Sequence, residues 1–236
     1  MDFREDEDDL SGDLTLSITG VEAERDPEGT FQVTLHTTRG DIPCLFTPCE
    51  GEPGVVVFLS GAMGGFDGPA DGIYKRLATR LVPRGLSSLR LSYREPGEFG
   101  ECVIDVLGAL SFLKGLGGGP VVLVGHSFGG AVVIKAGELS PAVIAVAALS
   151  SQRYGTSTVE NLAPRPLLIV HGTDDTVLMP AASEDIYERA RQPKRLALFE
   201  GSGHALMECR DELTDMLEEF AVAMAGPPRA DEDGEA

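Results

Sequence analysis

Apolar and polar positions alternate along the first part of the chain. Residues 14–19, 31–37 and 42–47 follow a period of two and are broken at Asp26-Pro27-Glu28-Gly29 and at Arg39-Gly40-Asp41. That pattern predicts an antiparallel meander with one face on a core. From residue 55 the pattern changes. Residues 55–59, 121–124, 143–149 and 167–170 are short, nearly unbroken aliphatic runs, as expected of parallel strands covered on both faces. Residues 86–93 and 195–199 are weaker candidates for the same sheet. Between the runs, residues 70–81, 98–113, 128–138, 181–190 and 206–224 carry apolar positions at helical spacing. Alternating strands and helices predict right-handed crossovers and an α/β fold. The sheet should be doubly wound and mostly parallel, with an N-terminal antiparallel meander. Ligands of such sheets sit beyond the carboxyl ends of the strands, so chemistry is expected in the strand-to-helix loops.

A chain of 236 residues, 42% of them hydrophobic, suffices for one sizeable core. We read one domain over residues 14–225, flanked by disordered acidic tails at 1–13 and 226–236. The tails hold eleven acids against two arginines and account for nine of the net 19 negative charges. Such segments cannot bury enough apolar surface to order themselves. The charge that remains on the body disfavours nucleic acid and anionic membranes as partners. No apolar run approaches the roughly 18 to 20 residues of a membrane span, and the opening MDFREDEDDL is acidic where a signal peptide would be basic and then apolar. A cytoplasmic protein is therefore expected. Cys44, Cys49, Cys102 and Cys209 are scattered, which suggests neither a zinc site nor a disulfide framework.

Two glycine-rich segments need weighing before any chemistry is read into them. Residues 115–119 precede a strand instead of following one, so they cannot present amides to a phosphate at a helix N-terminus and read as a helix-ending linker. Ser60-Gly61-Ala62-Met63-Gly64-Gly65 does follow a strand, yet it matches no nucleotide-binding pattern. The informative words are Val121-Val122-Leu123-Val124-Gly125-His126-Ser127-Phe128-Gly129-Gly130. A buried strand runs into G-x-S-x-G and then into an apolar helix, the context in which a serine is lifted on a sharp turn. Gly125 and Gly129 leave room for that turn. Phe128 opens the helix, so its amide is free to face a negative charge.

With that elbow the chain resembles the α/β-hydrolase superfamily over roughly residues 31 to 224, and more narrowly its small lidless serine esterases, close to the dienelactone-hydrolase type but with serine as the nucleophile. The resemblance implies a triad of nucleophile, acid and histidine in that chain order, starting at Ser127. After the strand at 167–170, His171-Gly172-Thr173-Asp174-Asp175-Thr176-Val177 resembles the family's acid loop, HGxxD. Asp175 fits its D and Asp174 is the adjacent alternative. Downstream, Glu200-Gly201-Ser202-Gly203-His204-Ala205 places a histidine between glycine and the last helix, as the family places its base. Of the other histidines, His36 lies in the meander, His126 adjoins the nucleophile and His171 ends a strand. Ser60-Gly61-Ala62 resembles the loop that donates the second oxyanion amide, with Ala62 as donor, Met63 as the alternative, and Ser60 where the family most often has histidine.

The resemblance implies acyl transfer without metal or organic cofactor. Serine at the elbow separates this chain from relatives with aspartate or cysteine there and points to esters, thioesters or amides. Only the sixteen residues 150–165 separate the sixth and seventh strands of the family pattern, too few for a lid domain. An open, shallow site for small esters is expected, lined by apolar residues such as Met63, Phe66, Phe128 and Met179. A non-catalytic protein of the same fold that binds a small ligand is the alternative. A lyase of the hydroxynitrile type would use the same three residues.

Overall fold

The computed structural model describes residues 15–51 and 53–227. Apart from Gly226 and Pro227, the acidic tails lie outside the described residues.

The N-terminal part forms three antiparallel strands, β1 (Ile18–Arg25), β2 (Phe31–Thr37) and β3 (Gly40–Thr47). Then come β4 (Val55–Leu59), α1 (Pro69–Leu81), β5 (Ser87–Leu91), α2 (Phe99–Gly115), β6 (Val121–His126) and α3 (Phe128–Leu139). The remainder is β7 (Val143–Leu149), β8 (Leu167–Gly172), α4 (Ala181–Arg189), β9 (Lys194–Phe199) and α5 (Arg210–Ala225). All nine strands join one sheet in the order β1-β2-β3-β5-β4-β6-β7-β8-β9. The meander attaches antiparallel through β3 to β5, and every pairing from β5 to β9 is parallel. This is the α/β sheet with a leading meander that the hydrophobic pattern predicts.

The aliphatic runs are unbroken because both faces of the central sheet are dry. Along β4, Val55, Val57 and Leu59 join a core with α2 and α3, while Val56 and Phe58 join a second core with α1 and α5. All five are 3% exposed or less. The chain leaves β4 toward one face, through α1, and leaves the adjacent β6 toward the other, through α3. Loops that diverge from neighbouring strands mark where ligands of such sheets bind, and here they are residues 60–68 after β4 and the turn at Ser127 after β6.

Three boundaries differ from expectation, each for a physical reason. The first strand is Ile18–Arg25 and not 14–19. It is an edge strand that is mostly exposed, so pairing with β2 and not burial fixes its extent, and its register shifts between Ile18 and Gly20. In α1 the right-handed helix begins only after Gly72. Ala70, Asp71 and Gly72 form a left-handed turn with φ of 51°, 56° and 76°, which costs roughly 1–2 kcal/mol at each of the two non-glycine residues. The Ala70 amide is held on the Ala205 carbonyl at 2.7 Å and the Tyr74 amide on Asp67 O at 3.1 Å. The last helix starts at Arg210, four residues later than its apolar pattern, because Leu206 takes a left-handed φ of 54°.

Arg90 on β5 is 6% exposed and sits among strand residues Phe58 and Leu45. Its guanidinium has no hydrogen-bond or ion-pair partner among the described residues, and burial lowers its pKa against the weaker pull of Asp67 and Asp26. Desolvating a charge without a close partner is costly. Arg90→Met is therefore expected to leave stability unchanged or raise it by about 1–3 kcal/mol, read as a higher Tm in a thermal melt. A fall in Tm of several degrees would mean that the guanidinium is satisfied in solution.

Candidate active site

Strand β6 ends at His126 and α3 starts at Phe128, so Ser127 alone makes the turn between them. Its φ of 58° and ψ of -119° lie outside the usual regions for a residue with a side chain. The glycines on either side permit it. A Cβ on Gly125 would stand 2.1 Å from the Gly129 carbonyl oxygen, and one on Gly129 would stand 2.3 Å from Ser60 O. Donation of the Ser127 amide to Leu149 O at 2.8 Å keeps the turn in the β6–β7 ladder. The hydroxyl is thereby raised over the carboxyl edge while its backbone stays in the sheet.

The acid loop follows β8. Asp175 is 2% exposed, and its Oδ1 accepts the amides of Val177 at 2.8 Å and Leu178 at 2.9 Å. Its Oδ2 faces His204 Nδ1 at 2.7 Å. Burial alone would raise this carboxyl. The hydrogen bonds from His204, Leu178 and Val177 outweigh burial and hold its pKa below the ordinary carboxylate value. Asp174 is exposed, and among the described residues its side chain receives only the neighbouring Thr173 hydroxyl, at 3.2 Å. Of the two adjacent acids, the fold directs Asp175 inward and Asp174 to solvent.

His204 lies between β9 and α5 with its side chain 20% exposed. Its Nε2 stands 3.1 Å from Ser127 Oγ. With Nδ1 donating to the carboxylate, Nε2 of the neutral ring is left to accept the serine proton, so the three residues form one hydrogen-bonded line from three separate loops. Close packing sustains it: a Cβ on Gly172 would stand 2.1 Å from Ser202 O, which presses the acid loop against the histidine loop.

Beside Ser127 lies the loop after β4. A Cβ on Gly61 would stand 3.6 Å from the Ser127 Cβ, and a Gly64 amide to Gly61 carbonyl bond of 3.0 Å closes a turn with Ala62 and Met63 at its corner. The amides of Ala62, Met63 and Phe128 have no acceptor among the described residues. The turn is anchored from below by two buried tyrosines, with Tyr74 donating to Leu59 O at 2.9 Å and Tyr93 to Ser60 O at 3.2 Å.

Two histidines that the sequence reading passed over also touch this line. His171, fully buried, donates its Nε2–H to Leu178 O at 2.8 Å, and Ser183 Oγ meets its Nδ1 at 2.6 Å. Since Leu178 in turn donates to Asp175, His171 braces the acid loop. His126 donates Nε2–H to the His204 carbonyl at 2.9 Å. Adjacency in sequence to Ser127 and to the acid loop was the available signal for both.

Residues 150–165 hold only one short 3-10 turn, Val159–Leu162. Met63 is 93% and Met179 65% exposed, so neither walls a tunnel, and the Phe128 ring is buried edge-on to Tyr93 and Phe99 at 5.9 and 6.0 Å. Two clefts of about 660 and 490 Å³ start at the amino ends of the strands, one against α5 at Leu167 and Lys194, the other at Val55 and Ser87. Neither reaches Ser127. No helix among the described residues is long and apolar enough to cross a membrane.

In sequence, no family model and no curated protein matches the chain. In structure it is similar to many solved proteins. A dienelactone hydrolase from Anabaena variabilis superposes with a TM-score of 0.72 at 18% identity, over 83% of this chain and 98% of that one. Acetyl xylan esterase 1 from a Thermoanaerobacterium species gives 0.68 at 14% identity, over 88% of each. A Xanthomonas campestris protein described as an α/β serine hydrolase without a lid gives 0.65 at 16%, over 87% of this chain and 100% of that one. These likenesses establish the α/β-hydrolase fold.

Proposed function

We propose that the chain is a serine hydrolase that cleaves small carboxylic esters, thioesters included, through an acyl-enzyme. The observation that carries this reading is the line Ser127 Oγ, His204, Asp175, with 3.1 and 2.7 Å between its members and the serine on a strained turn at a helix N-terminus. A purely structural serine has no use for an imidazole so oriented. Esterases and hydrolases among proteins of the same fold add support.

In this reading Ser127 Oγ attacks the acyl carbon while His204 Nε2 takes its proton, and Asp175 holds the ring and stabilises the imidazolium without itself accepting the proton. The carbonyl oxygen, now negative, receives the amides of Ala62 and Phe128, each worth on the order of 3 kcal/mol of barrier lowering in comparable sites. The intermediate collapses as His204 gives its proton to the leaving alcohol or thiol. Water then attacks the acyl-serine, again losing a proton to His204, and the second collapse releases the acid and restores the hydroxyl. No metal or organic cofactor enters. Cys44, Cys102 and Cys209 are buried free thiols, which favours a reducing compartment, and we assign the enzyme to the cytoplasm.

Substrate size follows from the open face. A fully buried CH₂ contributes about 0.8 kcal/mol, and a site without a roof recovers only a fraction of that beyond the first few carbons. On p-nitrophenyl esters kcat/KM is expected to peak between acetate and about hexanoate and then to fall. A steady rise to palmitate would contradict the open site, and no turnover of any ester would contradict the hydrolase.

A further inference from the structure

His126 has no step in the reaction just described, yet it ties the strand that carries the nucleophile to the loop that carries the base. It is the last residue of β6, paired in register with Leu149. From that rigid position its Nε2–H reaches the His204 carbonyl at 2.9 Å, and the two rings lie 4.8 Å apart between centroids, inclined by 48°. Its Nδ1 faces the loop after β4, where a Cβ on Gly61 would stand 4.0 Å away. The imidazole thus fills the space between the loop after β4 and the histidine loop.

The histidine loop has no regular structure of its own to fix the distance to Ser127. Residues 200–209 contain no helix or strand, and they include Gly201 with φ 73°, Gly203 and the left-handed Leu206. Other bonds hold them too: the Ala70 amide donates to Ala205 O at 2.7 Å, the Asp174 amide to Ser202 O at 2.9 Å, the Gly201 amide to Thr173 Oγ1 at 2.9 Å, the Leu206 amide to Gly203 O at 3.0 Å and the Gly203 amide to Glu208 Oε2 at 3.1 Å. These tie the loop to the left-handed turn at the start of α1, to the acid loop and to itself. The bond from His126 is the one that starts next to Ser127.

We propose that His126 is a positioning residue: by donating to the His204 carbonyl it sets the separation and tilt of the base relative to the Ser127 hydroxyl. The inference rests on Ser127 and His204 acting as nucleophile and base. Burial pushes the His126 imidazole down to about 4, so near neutrality it stays uncharged and keeps Nδ1 free of a proton. It therefore adds no second positive charge beside His204 when that ring takes the serine proton.

The test compares wild type with His126→Ala and His126→Gln in the full chain, measuring kcat and KM on p-nitrophenyl acetate, labelling by a fluorophosphonate, and Tm. Misplacing a catalytic group by about 1 Å can cost about 10²-fold in rate. A loss of that order in kcat and in labelling rate is expected for His126→Ala, with KM little changed. The glutamine, which keeps an N–H donor, should recover most of it. If the alanine variant does not fold, His126→Met, close in bulk and without a donor, takes its place. A role in stability alone would lower Tm in the variants and leave kcat per folded molecule intact. That result, or a glutamine variant no better than alanine, overturns the proposal. A wild type that neither turns over ester nor takes the label removes the hydrolase reading and this inference with it. An active wild type with variants equal to it removes the inference alone.

Discussion

Asp175→Asn is expected to lower kcat for ester hydrolysis by a factor on the order of 10⁴, whereas Asp174→Asn costs less than about tenfold. The size of the first effect follows from how the carboxylate is held. Oδ1 accepts two backbone amides, from Val177 and Leu178, and only an oxygen can fill that position. An asparagine must therefore turn its NH₂ toward His204, where Oδ2 now stands 2.7 Å from Nδ1. Nδ1 then becomes the acceptor, Nε2 carries the proton, and the ring cannot take one from Ser127. The same NH₂ would also stand near His171 Nε2, which lies 3.0 Å from Oδ2, so two donors would face each other in a buried place. Some loss of Tm should accompany the loss of rate. Asp174 lies outside this arrangement, in solvent. Steady-state kinetics of both variants check the assignment, and the reverse ranking would transfer the role of acid to Asp174.

Ser127→Ala is expected to reduce turnover by at least about 10⁴-fold while the protein stays folded. Among the described residues the hydroxyl makes one hydrogen bond, to His204, and the residue is partly exposed, so its removal opens no cavity in the core. Alanine shares the steric penalty of the turn at φ 58°, which leaves the strain of the elbow unchanged. The variant should melt within a few degrees of wild type. More than about a hundredth of wild-type turnover in the purified variant would mean that another group attacks the ester.

Much of this architecture was legible because dry strands write unambiguous text. The runs at 55–59, 121–124, 143–149 and 167–170 all became central strands, since burial on both faces leaves no polar position to blur them. The first strand was misplaced for the opposite reason: a largely exposed edge strand has no burial pattern, and pairing with the following strand, Phe31–Thr37, defines it. The left-handed turn at residues 70–72 was hidden as well. Ala70 and Asp71 are ordinary helix-start residues in sequence, and what bends them is a bond to Ala205, far along the chain. The same limit applied at the site. Gly125, Ser127 and Gly129 could be found because steric crowding at one sharp turn selects residues close in sequence. His126 and His171 act through carbonyls that folding brings near them, at residues 204 and 178, and no spacing rule reports such a contact.

In the proposed mechanism Ser127 is made reactive by His204. The most direct measurement of that activation is the mass of the intact protein and of its proteolytic peptides after exposure to a fluorophosphonate, since only an activated serine displaces fluoride from phosphorus at an appreciable rate. One adduct per chain is expected, located on Ser127, absent in Ser127→Ala and strongly slowed in His204→Ala. An unlabelled wild type, an adduct on a different residue, or labelling of Ser127 at the same rate without His204 would contradict that mechanism.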